Sequence, residues 1–236
     1  MDAILIVDPD AAAEKLAEAF RDAGFRVEQV DGADLRSRIR EPAALAVLSM
    51  DLLVPRATDL LRAIRSSPVN AAIPVIATSA SRSEIDRVLA FELGADDFVP
   101  KPLSIREMVL RVQAVLRRCR RRSELVPQRL SLGPVEIDPQ HGEVTVDGNP
   151  VHLTTVELRL LVDLVTRKGR VQRRQELIDR VWPEADPGPR TVDTHVRRLR
   201  EKLGPAADLI ETVRGVGYRV PRDEERDEEL HLAKVV

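Results

Sequence analysis

The sequence predicts two domains, a doubly wound α/β domain with a five-stranded parallel sheet and a smaller α+β domain with three helices. Three observations lead there. The first half alternates short apolar runs with amphipathic helical stretches. The second half replaces that rhythm with short strands punctuated by glycine and proline. An arginine run divides the two. The length, 236 residues, suits two domains of ordinary size.

In chain order, Ala3 to Val7, Phe25 to Val30, Leu45 to Met50, Pro74 to Thr78 and Asp97 to Val99 read as strands, Phe25 to Val30 as a shorter one. Between them Ala12 to Ala23, Asp59 to Ser66, Ser83 to Leu93 and Ile105 to Arg118 carry apolar residues three or four apart. Right-handed crossovers through such helices give a parallel sheet covered on both faces. Gly24 and Gly94 stand where helices end. The run Arg117-Arg118-Cys119-Arg120-Arg121-Arg122 cannot enter a core and is expected to close a helix.

Beyond it, Leu130 to Val151 reads as short strands separated by Gly133-Pro134, Gln140-His141-Gly142 and Asp147-Gly148-Asn149-Pro150, the turn chemistry of an antiparallel sheet. Thr154 with Glu157 three residues on forms a capping box at the head of a helix. Two more helices are expected at about Arg174 to Val181 and Arg190 to Leu203, then a hairpin over Ile210 to Val220 turning on Gly215 and Gly217. The expected division is a first domain over 1–118, a linker over 119–127, a second domain over 128–222, and an acidic, disordered tail over 223–236.

Composition narrows the function classes. Hydrophobic residues make up 43%, enough for packed cores, while aromatics at 3% leave those cores to Leu, Val, Ile and Ala. The formal net charge of −2 says nothing for nucleic acid, so local charge must carry that argument. The single cysteine, Cys119, permits no internal disulfide and fits a reducing cytosol. Ala3 to Val7 is too short for a membrane span, and no stretch approaches twenty apolar residues. The expectation is a soluble cytoplasmic protein with no membrane partner.

Open parallel sheets put functional groups at the carboxyl ends of their strands. Asp8, Asp51, Ser79 and Lys101 fall there. Singly, each has a bland reading as a cap, a backbone-bonded hydroxyl or a solvated lysine; jointly they define a site. Residues 1–118 resemble the flavodoxin-like receiver domains of two-component response regulators. The resemblance is carried by Ile4-Leu5-Ile6-Val7-Asp8, Asp51-Leu52-Leu53-Val54-Pro55, Thr78-Ser79-Ala80 and above all Gly94-Ala95-Asp96-Asp97-Phe98-Val99-Pro100-Lys101-Pro102. It implies that Asp51 is the phosphoacceptor for a sensor histidine kinase. Lys101 would balance the phosphoryl charge, Ser79 would bond a phosphoryl oxygen, and Phe98 would turn inward behind it.

One departure stands out. Receivers follow the first strand with two adjacent acids, and this chain has Asp8-Pro9. The implied Mg²⁺ ligands are Asp8, Asp51 and the Leu53 carbonyl, and Pro9 removes a side-chain oxygen from an ion that demands octahedral oxygen geometry. Asp10 follows, but the rigid proline ring sets its direction. Weakened Mg²⁺ affinity and slow or absent phosphorylation are therefore expected, against the alternative that Asp8, Asp51 and waters still hold the ion well enough. In the OmpR/PhoB class, Arg87, Asp96, Asp97, Glu107 and Arg111 lie on the face that joins two receivers, with Arg87 crossing to Glu107 and Asp97 to Arg111. A two-fold contact needs such self-complementary charge.

The second half resembles the OmpR/PhoB winged helix-turn-helix effector domain. It does so through Leu153 to Leu161, Glu176 to Trp182, Arg190 to Arg200 and Glu211 to Arg219, in that order. Independently, Val192, Val196, Leu199 and Leu203 form one aliphatic stripe at helical spacing, leaving Arg190, Thr194, Arg197, Arg198 and Arg200 on other faces. From 190 to 222, Lys and Arg number eight against four acids, a basic segment in a slightly acidic chain. Carried over by position, Arg198 beside Thr194 would read bases. Thr212 and Arg214 belong to the wing, and Arg190, Thr191, His195, Arg197, Arg200, Tyr218 and Trp182 lie along phosphates. His195 and Trp182 also have a plain core reading.

The expected partners are double-stranded DNA, a second copy of the chain, a sensor histidine kinase, and RNA polymerase at Pro183 to Pro189. Two other readings compete. A phosphohydrolase using Asp51 lacks a phosphate-cradling glycine loop and a general acid, so no enzyme is expected. A phosphorylation-independent regulator would keep the receiver only for dimerisation or for a ligand or partner.

Overall fold

The computed structural model describes residues 3–81, 83–125, 129–183 and 188–222. They form two compact units, dividing between Arg121 and Arg122.

The first unit holds β1 (Ala3–Val7), α1 (Ala12–Asp22), β2 (Val27–Gln29), α2 (Leu35–Arg38), β3 (Ala43–Ser49), α3 (Ala57–Arg65), β4 (Val75–Ser79), α4 (Glu84–Glu92), β5 (Asp97–Pro100) and all but the last four residues of α5 (Ile105–Leu125). The sheet is parallel, in the order β2-β1-β3-β4-β5. Strand alternation sorts two cores. Ile4, Ile6, Leu45, Val47 and Ile76 pack with Leu16 and Phe20 of α1 and Met108, Val112 and Val115 of α5. Leu5, Val7, Ala46, Leu48, Val75 and Ala77 pack on the other face with Leu35, Leu60, Leu61 and Ile64. Burial on both faces explains why β1 reads as an unbroken apolar run rather than an alternating one.

Two expectations need correction. α5 does not stop in the arginine run but continues for 21 residues to Leu125, through most of the segment expected as linker. Arginine, leucine and glutamate favour helix, and nothing before Pro127 interrupts them. α2 is an element the sequence did not announce. Its four residues are too few to show a helical period.

In the second unit, β6 (Leu130–Leu132), β7 (Val135–Asp138), β8 (Glu143–Val146) and β9 (Asn149–Pro150) form an antiparallel sheet in chain order. Asp147 and Gly148, with φ of 50° and 77°, make the tight turn between β8 and β9 that the Asp-Gly pair predicts. α6 (Thr155–Thr166) opens on the expected capping box, Thr154 Oγ1 accepting from Glu157 N at 3.2 Å while Glu157 Oε2 accepts from Thr154 N at 2.7 Å. β10 (Gln172–Arg173), α7 (Arg174–Val181) and α8 (Pro189–Leu203) follow. β11 (Glu211–Val213) and β12 (Gly217–Arg219) close the fold, in a sheet ordered β10-β12-β11. Gly217 is obligatory there: a Cβ would lie 1.9 Å from the Gln172 carbonyl oxygen. The tail 223–236 lies outside the described residues.

Candidate acidic pocket and nucleic-acid interface

The ends of β1, β3, β4 and β5 bring Asp8, Asp51, Ser79 and Lys101 together, as expected. Lys101 Nζ donates to Asp8 Oδ1 at 2.9 Å and to Ser49 Oγ at 3.1 Å, and lies 3.2 Å from Asp51 Oδ2. Asp51 also accepts from Ser79 Oγ at 2.7 Å and from the Ala80 N–H at 3.0 Å. Burial pushes the Asp51 carboxyl up, but Ser79, Ala80 and Lys101 outweigh it and hold the group below the usual carboxylate range. Burial likewise draws Lys101 down, yet Asp8 and Asp51 raise it above an ordinary lysine. Phe98 is half-buried, packed against the core that includes Val75 and Ala77. Ser49 and the Ala80 N–H were not singled out from sequence. For Ser49 the signal was available, since a residue two before Asp51 shares its face.

Receivers of this kind take up Mg²⁺ when they are phosphorylated. The expected donors Asp8, Asp51 and Leu53 do not fit that ion as arranged. Pro9 offers no oxygen, and Asp8 Oδ1 already accepts from Lys101 and from the Asp10 N–H at 3.1 Å. Asp10 Oδ1 caps the Ala12 N–H at 3.1 Å, and its other oxygen stands 3.8 Å from Lys101. Leu53 pairs with Arg56 in an isolated antiparallel bridge, its side chain 81% exposed. Among the described residues, no cluster of three metal-ligating side chains is arranged around a common point. The cation among these acids is the lysine's own.

Of the charged set on α4, β5 and α5, Asp97 accepts from Arg111 Nη1 at 3.0 Å, and Arg111 Nη2 lies 2.8 Å from Glu107. Arg87 is partly exposed, 3.8 Å from Glu84. Asp96 is buried and engaged within the unit, accepting from Arg65 Nη2 at 2.7 Å and from the Val75 N–H at 2.8 Å. Nothing in the sequence paired it with Arg65, thirty-one residues away.

α8 buries Val192, Val196, Leu199 and Leu203, the stripe the periodicity predicts. Arg190, Arg197 and the wing's Arg214 are exposed; Thr194 and Arg198 are partly so. Arg190 and Arg214 make no ion pair with another described residue. Arg197 pairs with Glu201 at 2.9 Å, both side chains more than half exposed, a contact water screens and a phosphate can replace.

Five of the expected DNA contacts are enclosed or engaged within the chain. Trp182, at the end of α7, and His195 of α8 are buried with ring centroids 5.2 Å apart, and Thr191 of α8 is buried too. Tyr218 is buried between the guanidiniums of Arg174 and Arg200, its hydroxyl donating to Asp193 Oδ1 at 2.6 Å. Burial and then Asp193 push that phenol up to about 12. Arg200 points at the chain itself, donating to the Ile210 carbonyl at 3.1 Å and to Thr212 Oγ1 at 2.8 Å, which ties α8 to β11. Thr212 stays exposed with its hydroxyl so engaged. Asp193, the centre of this network, was missed because an acid on a basic helix reads as solvated.

Two family models match the chain. One is described as Response regulator receiver domain, over residues 4–113, the other as Transcriptional regulatory protein, C terminal, over residues 148–220. The chain is 40% identical over 230 residues to Sensory transduction protein RegX3 of Mycolicibacterium smegmatis, covering 93% of this chain and 99% of that protein. It is 34% identical over 221 residues to Phosphate regulon transcriptional regulatory protein PhoB of Pseudomonas aeruginosa, covering 92% and 96%. Among solved structures, a point mutant of RitR matches with a TM-score of 0.71 and 25% identity over 94% of this chain and 100% of that one. No helix among the described residues is long and apolar enough to cross a membrane. The chain belongs to the OmpR/PhoB class of response regulators, transcription regulators that join a receiver domain to a winged-helix DNA-binding domain.

Proposed function

We propose that this regulator binds specific DNA as a homodimer held by its receivers, α8 entering the major groove and the β11–β12 hairpin its flank. The observation that carries this is α8 itself, whose aliphatic stripe is buried while Arg190 and Arg197, with Arg214 on the hairpin, face solvent. In this reading Arg198 and Thr194 read bases, Arg190 and Arg197 hold phosphates, and Arg214 enters the minor groove. The dimer contact uses Arg87, Asp97, Glu107 and Arg111, beside the exposed Ile85 and Leu110. RNA polymerase meets the segment 183–189, most of which lies outside the described residues. Gel-shift titration across a salt range tests the interface. Affinity should fall steeply as salt rises, because phosphate contacts release counterions. Indifference to salt, or no binding at low salt, would overturn it.

Asp51 is the acceptor in the phosphorylated reading. Its carboxylate attacks the phosphorus of a kinase phosphohistidine, forming an acyl phosphate as the imidazole leaves. A second reading is favoured by Pro9 and by the ammonium of Lys101 between Asp8 and Asp51: the receiver works without phosphate. With acetyl phosphate and Mg²⁺ present, intact mass should then stay unshifted over hours. Ready conversion to the phospho-form would sink this second reading.

A further inference from the structure

We propose that the acidic C-terminal segment, residues 223–236, docks on the basic face of α8 and the wing hairpin and competes there with DNA phosphates. The inference rests on the DNA interface proposed above and assigns that interface an occupant from the same chain.

Three observations point to it. First, charge is complementary. Asp223-Glu224-Glu225-Arg226-Asp227-Glu228-Glu229 carries six carboxylates and one arginine. The opposing face exposes Arg190, Arg197 and Arg214, of which Arg190 and Arg214 have no ion pair among the described residues. Carboxylates offer guanidinium the same kind of charge-assisted hydrogen bond that phosphate oxygens do.

Second, the tether begins in the same unit as its target. After β12 the chain turns to the end of α6, where the Val220 carbonyl accepts from the Gly169 N–H at 2.7 Å, so the segment leaving Arg222 must run back across the domain to reach α8. Fourteen extended residues span about 46 Å, whereas the fifteen residues of α8 are about 22 Å long. Reach is no obstacle.

Third, the segment lies beyond the part of the chain that makes it a winged helix. The C-terminal family match ends at residue 220, and the last described element at Arg219. The acids are thus an addition to a complete domain.

A tethered competitor acts at an effective concentration near millimolar, so even weak pairs occupy the face much of the time. DNA must displace it, and the apparent affinity falls by the same factor for every duplex. Salt weakens the competing pairs too. The segment should therefore flatten the salt dependence of DNA binding.

The test compares the full chain with a chain ending at Arg222, and with one in which Asp223, Glu224, Glu225, Asp227, Glu228 and Glu229 are replaced by Asn or Gln. Binding of a fluorescent mixed-sequence duplex is measured by anisotropy from about 50 to about 300 mM salt. Both altered chains should bind about three- to tenfold more tightly at the lowest salt, with the advantage vanishing at the highest. Equal affinities for all three at every salt, or weaker binding by the altered chains, overturns the proposal and leaves the DNA interface standing. Failure of all three to bind any duplex overturns the interface and the proposal with it.

Discussion

A methyl group on Gly217 would collide with the backbone of β10, because it would lie 1.9 Å from the Gln172 carbonyl oxygen and 3.1 Å from the Arg173 Cα. Gly217→Ala should therefore lower stability by roughly 3 kcal/mol or more. Trp182, the chain's single tryptophan, is buried in the same unit, so its fluorescence in a urea titration reads the loss directly. An unchanged midpoint would contradict the clash. At the DNA face, Arg198→Ala should cost about 1–3 kcal/mol and relax base preference, whereas Arg197→Ala should weaken binding to all duplexes alike. Anisotropy on a selected site and on random DNA separates the two; equal losses in both variants would refute the division. Single residues also show how far sequence reaches. Asp8, Asp51, Ser79 and Lys101 were legible because strand ends have a fixed address in a parallel sheet. Trp182, Thr191, His195 and Tyr218 are buried, and matching a motif does not tell a side chain that touches phosphate from one that shapes the surface doing so.

Between elements, a buried ion pair in the winged helix joins the head of α6 to the end of α8. Lys202 Nζ lies 2.6 Å from Glu157 Oε2, and that carboxylate is 2% exposed. Burial pushes the Glu157 carboxyl up, but Lys202 and the Thr154 N–H outweigh it and hold the group below its usual range. A depressed carboxylate adds stability that is complete above the unfolded value, near pH 4.5, and is lost as pH falls through the folded value. Glu157→Gln should flatten that acid limb, and Lys202→Met should cost about 1–3 kcal/mol at neutral pH. Urea midpoints by Trp182 fluorescence between about pH 7 and pH 2 check both; an acid limb unchanged in the Gln variant would refute the tie. Elements with strong signals, such as the α6 capping box and the Asp147-Gly148 turn, were readable residue by residue. α2 was not, being one turn long, and the end of α5 was misjudged because charge was taken as a stop signal although arginine is a good helix former.

For the whole molecule, the receiver face makes a prediction with a built-in control. The proposed two-fold contact would pair Arg87 of one chain with Glu107 of another, twice. Arg87→Glu should shift sedimentation toward the monomer, Glu107→Arg should do the same, and the double exchange should restore the dimer. Failure of the double exchange to recover association would exclude this pairing. DNA affinity should follow the association state, since two recognition helices on one duplex bind as a linked pair. Within each such helix domain, the fork of Arg200 spanning Ile210 and Thr212 has its own consequence. In the proposed complex, the helix set in the major groove and the hairpin set in the minor groove would be bolted into a single caliper. A duplex whose groove widths depart from that setting would have to deform or be rejected, so sequence-dependent flexibility of DNA would become part of what this regulator selects.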